Sequence, residues 1–289
     1  MRAPTRSPVV DAHHHFWTPS RHDYYWMAGA ELEPIRRSFG PADLRPLLAA
    51  AGVEFTVLVQ TVPSVQETRE FMEVAGTTDF VAGVVGWVDL TDPAVADTLA
   101  ELRSQPNAQT LVGIRHQLHD ETDAEWLLRP DVQRGLAAVR DAGLAYDFLV
   151  RPRELPAALA TARALPDMRF VIDHIAKPPI ATGEIDAWSA LLEPFRSLTH
   201  VCCKLSGMIT EASWTSWTPS DLRPYVHRAV DIFGTERVMY GSDWPVCLLA
   251  GSYGDVKSAL EEALPSLSTA ESANVFGGNA TRFYGLEIG

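Results

Sequence analysis

Short runs of β-branched and aromatic residues punctuate the chain, separated by longer stretches whose apolar positions recur at helical spacing. Eight such runs read as strands: PVVDAHHHF (8–16), FTVLVQTV (55–62), FVAGVVGWVDL (80–90), LVGIRHQL (111–118), LAYDFLV (144–150), RFVIDHI (169–175), VCCKLSG (201–207) and RVMYGSDWP (237–245). The helical stretches include 41–52, 64–77, 131–143, 154–166 and 221–234, several of which close on glycine, as helix ends often do. Strands apolar on both faces and alternating with helices form parallel sheets, because crossover helices cover the faces. Eight such units predict an α/β fold, a (β/α)8 TIM-type barrel with residues 1–289 as one domain. The tail NVFGGNATRFYGL (274–286) is expected to pack on the barrel.

A barrel of this kind carries its chemistry at the C-terminal ends of its strands, and polar residues collect there. They are His13 and His15 on the first strand, Arg115, His116 and Gln117 on the fourth, and Tyr146 and Asp147 on the fifth. Asp173, His174 and Lys177 follow on the sixth, Lys204 and Ser206 on the seventh, and Ser242, Asp243 and Trp244 on the eighth. Strand alternation over 8–16 sends His13 and His15 one way with Asp11 in line, and His14 the other. The histidine triplet is embedded among Val9, Val10, Phe16 and Trp17, unlike a tag lying outside the fold. A same-face histidine pair suits a metal or a polarised carbonyl, and Asp243 is the best candidate base. His14 reads as structural and His116 as lying behind Arg115, while His22, His119, His200 and His227 read as surface residues.

Charge narrows the partners. The net charge of -13 argues against a nucleic acid, which needs clustered Lys and Arg. No apolar run has membrane-spanning length and the N-terminus shows no signal-peptide pattern, so a cytoplasmic location is expected. Of the three cysteines, Cys202 and Cys203 are neighbours and Cys247 is remote. Reduced thiols are expected, with no cysteine-based zinc site.

The set DAHHHFW, GIRHQLHDE, YDFLVRPRELP, DHIAKPPI, CKLSGMITEA and MYGSDWPV resembles the amidohydrolase-related proteins of the amidohydrolase superfamily, more narrowly its sugar-lactone and pyrone-dicarboxylate lactonase branch. The resemblance runs from about residue 8 to residue 286 and implies a (β/α)8 barrel. It places the centre on His13, His15, His174 and Asp243, with Arg115 holding substrate oxygens. Binuclear members of the superfamily carry a bridging lysine after strand four and a histidine after strand five; here those ends read GIRHQ and YDFLV. The resemblance therefore implies one zinc on His13, His15, His174 and Asp243, or a centre that works without metal.

On this reading the protein is a carboxylic-ester hydrolase that opens a small lactone, such as fucono- or rhamnonolactone. Asp243 activates water and then returns the proton to the leaving oxygen, while the three histidines polarise the carbonyl. Arg115, Tyr146, Asp147, Lys177 and Lys204 are expected to contact substrate. Trp17, Tyr24, Tyr25, Trp26, Trp214 and Trp217 are expected to form walls over the sugar ring. Two other readings stand beside it: a metal-dependent decarboxylase of the same superfamily, and a barrel that binds a sugar acid without turning it over.

Overall fold

In a computed structural model, which describes residues 7–288, eight parallel strands follow one another in sheet order. They are β1 (Val10–His14), β2 (Phe55–Val59), β3 (Val81–Gly86), β4 (Leu111–His116), β5 (Ala145–Phe148), β6 (Phe170–Ile172), β7 (Val201–Leu205) and β8 (Val238–Tyr240). The crossovers carry α1 (Pro41–Ala51), α2 (Val65–Thr77), α3 (Val95–Ser104), α4 (Pro130–Asp141), α5 (Leu155–Ala164), α6 (Asp186–Leu192), a one-turn α7 (Met208–Glu211) and α8 (Pro219–Phe233). After β8 come α9 (Tyr253–Ala263), α10 (Thr269–Ala273) and α11 (Asn279–Tyr284). The architecture is a (β/α)8 barrel. Among the described residues no helix is long and apolar enough to cross a membrane.

Two apolar layers follow from strand alternation. Outward residues such as Leu58, Val84, Phe148 and Leu205 join the helices in one extended core. Inward residues are smaller: Val10, Ala12, Val57, Val59, Val85, Ala145, Val171 and Met239 fill the barrel. The tail packs as expected, with Ala280, Phe283, Tyr284 and Leu286 joining this interior cluster. Burying a side chain the size of Phe283 is worth about 1.5–3 kcal/mol.

Several strands are shorter than their apolar runs, for a shared reason. At the rim the backbone leaves extended geometry in order to aim side chains inward. β6 stops at Ile172 because His174, Ile175, Ala176 and Lys177 all take positive φ. β8 stops at Tyr240, and Asp243 beyond it also has positive φ, at 56°. β1 contains an irregularity between Asp11 and His14, where three steps on β1 face two on β2. That extra residue corrects the expected alignment of Asp11. Its carboxylate accepts from Ser242 N at 2.8 Å, Tyr253 Oη at 3.0 Å and the main-chain N of His13 at 3.1 Å, and does not join the two imidazole rings it was expected to accompany.

The junction between β8 and β1 positions the chemistry. His15 N donates to Trp244 O at 2.7 Å, and Asp243 N donates to His13 O at 2.8 Å. Main-chain bonds that bring the barrel's two ends together thus set the acid against the imidazoles.

Candidate active site

A cavity of about 560 Å3, counted out to its mouth, opens at the C-terminal ends of the strands. Its wall is formed by His15, Trp26, Thr61, Arg115, Gln117, His119, Asp120, Leu149, His174, Lys177, Asp243 and Val246. Three imidazoles and a carboxylate converge there, His15, His174 and Asp243 in the wall itself and His13 fully buried against them. His13 Nε2 and His15 Nε2 are 3.2 Å apart, and Asp243 Oδ1 is 3.3 Å from His15 Nε2. The same oxygen lies 3.8 Å from both His13 Nε2 and His174 Nε2.

Local backbone explains how His174 reaches this point. Four consecutive residues with positive φ, including β-branched Ile175, form a tight turn that puts both His174 and Lys177 in the wall. Left-handed geometry is unfavourable for such residues, so surrounding contacts must hold the turn. Trp188 Nε1 donates to Ile175 O at 2.7 Å, and Lys177 Nζ pairs with Glu211 at 2.6 Å. On β7's side Gly207, with φ of 61°, leaves room for the ring: a Cβ there would sit 2.5 Å from His174 Nδ1.

Electrostatics follow from burial. Burial first, then the Lys204 and Arg115 charges, lower the pKa of His13; burial likewise lowers His15 and His174. All three rings are therefore neutral at neutral pH. Burial alone would raise Asp243, but a proton or cation shared with His174 and His15, together with Lys177, outweighs it and holds the carboxyl below its usual range.

The donor set fits one metal ion. His15 Nδ1 donates to Val59 O at 2.7 Å, so the Nε2 of the neutral ring carries a lone pair. That lone pair faces the Asp243 carboxylate at 3.3 Å, two acceptors that need a cation or a proton between them. His174 Nδ1 is 2.9 Å from Ser206 Oγ, and His13 Nδ1 is 3.3 Å from Asp173 Oδ1. Each imidazole thus has an outer partner of the kind that orients metal-binding histidines. The candidate ligand atoms of His13, His174 and Asp243 lie within 4.8 Å of one another. Nitrogen and carboxylate donors of this kind suit zinc.

Other expected contacts fall elsewhere. Asp147 and Lys204 are completely buried one layer below the cavity, where Lys204 Nζ pairs with Asp147 Oδ2 at 2.6 Å. Tyr146, one position from inward-facing Asp147, turns into the outer apolar layer against Phe148 and Phe170. None of these three borders the cavity wall. Arg115 does, but its guanidinium donates to Gln60 Oε1 and O and to Asp173 Oδ2 at 3.1 Å, with Nη1 also 3.2 Å from His13 Nε2. Its hydrogens are spent inside the protein.

Of the six aromatic residues expected as walls, Trp26 alone lines the cavity. Trp17 and Tyr24 are core residues, Tyr25 is exposed with its hydroxyl on Asp120, and Trp214 and Trp217 donate to Thr210 O and Ala250 O. His116 stacks flat on Trp126, with centroids 4.3 Å apart, outside the wall. His14 bonds Thr56 Oγ1 at 2.8 Å. His119, read as a surface residue, is instead in the wall, with Nε2 3.2 Å from Asp120 and a buried Nδ1 that has no protein partner. Its place in GIRHQLHDE, two residues past Gln117, was the available signal; the short helical turn Leu118–Asp120 that folds it back was not visible.

A barrel with a carboxylate set among three imidazoles at its C-terminal rim has the build of a hydrolytic (β/α)8 enzyme. The chain belongs to the amidohydrolase family, whose sequence profile matches residues 10–286. It is 44% identical over 284 residues to an L-fucono-1,5-lactonase of Burkholderia ambifaria, covering 96% of each chain. It is 39% identical over 288 residues to an L-fucono-1,5-lactonase of Burkholderia multivorans, again covering 96% of each. A crystal structure of a B. multivorans amidohydrolase with bound zinc superimposes with a TM-score of 0.89 at 39% identity, covering 96% of this chain and 99% of that one.

Proposed function

We propose that this protein hydrolyses a small sugar lactone, with Asp243 as the proton-transfer group. The observation that carries the reading is the convergence of Asp243 Oδ1 on His13, His15 and His174 at the floor of a cavity. The lactonase relatives support the substrate class.

A lactone is a cyclic ester, so its opening needs a nucleophilic water, a sink for the oxyanion and a proton for the departing alkoxide. Asp243, ionised at neutral pH, accepts the proton from water as the carbonyl is attacked and then passes it to the ring oxygen. Lys177 supplies positive charge beside the developing oxyanion. In a centre without metal, His174 adds an N–H at Nε2 with the Ser206 hydroxyl donating to its Nδ1; with metal, the same hydroxyl accepts from Nδ1–H and leaves Nε2 free to bind. His13, His15, His174 and Asp243 would hold the zinc ion, which when bound supplies Lewis-acid polarisation and a more acidic water. Trp26, Leu149 and Val246 give the ring apolar contact, while His119, Gln117 and Thr61 face its hydroxyls. Arg115 acts from within the wall, fixing Gln60 and Asp173.

The reading takes a small-molecule lactone or sugar acid as partner, without nucleic acid, in the cytoplasm; the net charge of -13 supports the exclusion of nucleic acid and three unpaired cysteines support the location. A panel of five- and six-membered aldonolactones and dicarboxylate lactones, followed by proton release, tests it. Turnover of an aldonolactone without carbon dioxide is expected. Carbon dioxide release from an aromatic acid would transfer the site to the decarboxylases, and binding without turnover of any lactone would leave a sugar-acid binder.

A further inference from the structure

Beneath the cavity lies a charged cluster that the reaction does not use directly. Asp147 from β5, Asp173 after β6, Lys204 from β7 and Arg115 from β4 are almost entirely buried and balance in charge. Lys204 Nζ is 2.6 Å from Asp147 Oδ2, 3.0 Å from Asp173 Oδ1 and 3.1 Å from His13 Nδ1. Removing an ammonium group from water is costly even when it is paired, so a lysine sealed inside a barrel calls for a reason beyond stability.

The cluster has one more member, and it comes from the far end of the chain. Tyr284, the last residue of α11, donates its hydroxyl to Asp147 Oδ2 at 2.7 Å. Both Tyr284 and Lys204 therefore bond the same carboxylate oxygen. Fixed in this way, Lys204 stands between Asp147 and Asp173, while Asp173 Oδ1 lies 3.3 Å from His13 Nδ1. The chain of contacts runs from the C-terminal helix through Asp147, Lys204 and Asp173 to a ring at the centre.

We infer that Tyr284 and Lys204 are positioning residues for the centre. The Tyr284 hydroxyl fixes Asp147, Asp147 fixes Lys204, and Lys204 fixes Asp173, whose Oδ1 faces the His13 Nδ1–H and so presents His13 Nε2 to the cavity floor. Neither residue touches substrate. The inference rests on the lactonase reading for its kinetic consequence but not for its effect on metal affinity, so the two can fail separately.

Tyr284→Phe removes one hydroxyl and leaves the ring that packs the barrel. Outer partners of metal-binding histidines typically govern affinity or activity by about 10–100-fold. Tyr284→Phe is expected to lower kcat about tenfold with KM within about twofold, and to weaken zinc about tenfold in competition with a chromogenic chelator. The melting temperature is measured alongside. In an Asp147→Asn/Lys204→Met background, which removes one charge of each sign, adding Tyr284→Phe should cause no further loss in either quantity. Wild-type kcat and zinc affinity in Tyr284→Phe, whatever its melting temperature, would make Tyr284 a packing residue and overturn the inference. An undiminished loss in the Asp147→Asn/Lys204→Met background would overturn the route through Lys204. If no lactone is turned over, the zinc competition still decides the positioning role; if no zinc is held, kcat decides it.

Discussion

Asp243 and His15 face each other across the barrel junction at 3.3 Å, Oδ1 to Nε2, with the His15 Nδ1 hydrogen already given to Val59 O. Two bonds of the same junction, His15 N to Trp244 O and Asp243 N to His13 O, fix that encounter. The backbone thus brings the two residues together, and the bond from His15 Nδ1 to Val59 O sets the direction of the ring. A cation between the two groups relieves the repulsion of lone pair and carboxylate.

Zinc is accordingly expected to stabilise the fold. Added to metal-stripped protein at about a hundred times its dissociation constant, a ligand that binds only the native state contributes about 2.7 kcal/mol. For a chain of this size that is a rise of several degrees in melting temperature. Scanning calorimetry should show the rise in wild type and not in His15→Ala; equal rises in both would remove His15 from the metal centre.

Gly207→Ala places a methyl group 2.5 Å from His174 Nδ1 at a backbone φ of 61°. The left-handed backbone alone costs about 1–2 kcal/mol for a residue with a Cβ. The larger consequence is displacement of the ring, so kcat should fall by more than stability explains. Denaturant titration beside steady-state kinetics separates the two, and a variant with normal kcat would show that His174 tolerates a shift.

His119 is expected to act on binding. Its ring lines the cavity with an Nδ1 that no protein group satisfies, so His119→Ala should raise KM about tenfold while kcat stays within about twofold. A fall in kcat at constant KM would assign it to the chemical steps.

Much of this was legible in the chain, and each failure has a physical cause. Parallel strands announce themselves by unbroken apolar runs, and their order follows from helical stretches between them. His13, His15, His174 and Asp243 stand at run ends, where polarity is out of place, and the structure brings all four together. What period-two counting could not supply was depth. Asp147 and Lys204 point inward as counted, yet lie a layer too low to meet a ligand. Tyr284 had no signal at all, because its partner Asp147 is 137 positions away. The irregularity in β1 misled the reading of Asp11, since one extra residue reverses the face of everything before it.

A pH effect on stability is expected from Glu67. Burial raises its carboxyl to about 6, even though Thr61 N and Val62 N donate to it. A folded pKa above the unfolded value means that the native state holds the extra proton. Its contribution to stability is therefore complete below about pH 4.5 and lost as pH rises through about 6. The shift corresponds to about 2 kcal/mol. Glu67→Gln should remove that component, so urea titrations at pH 4.5 and 7 should show a smaller fall in stability for the variant than for wild type. Identical falls would mean that Glu67 titrates normally.

The most direct test is hydrolysis of a six-membered aldonolactone by Asp243→Asn and by wild type, each folded and loaded alike. Loss of a general base typically costs about 10²–10⁴-fold, and a fall in kcat of at least about a hundredfold at an unchanged melting temperature is predicted. Turnover within about threefold of wild type would place the proton transfer on another group and take Asp243 out of the chemistry.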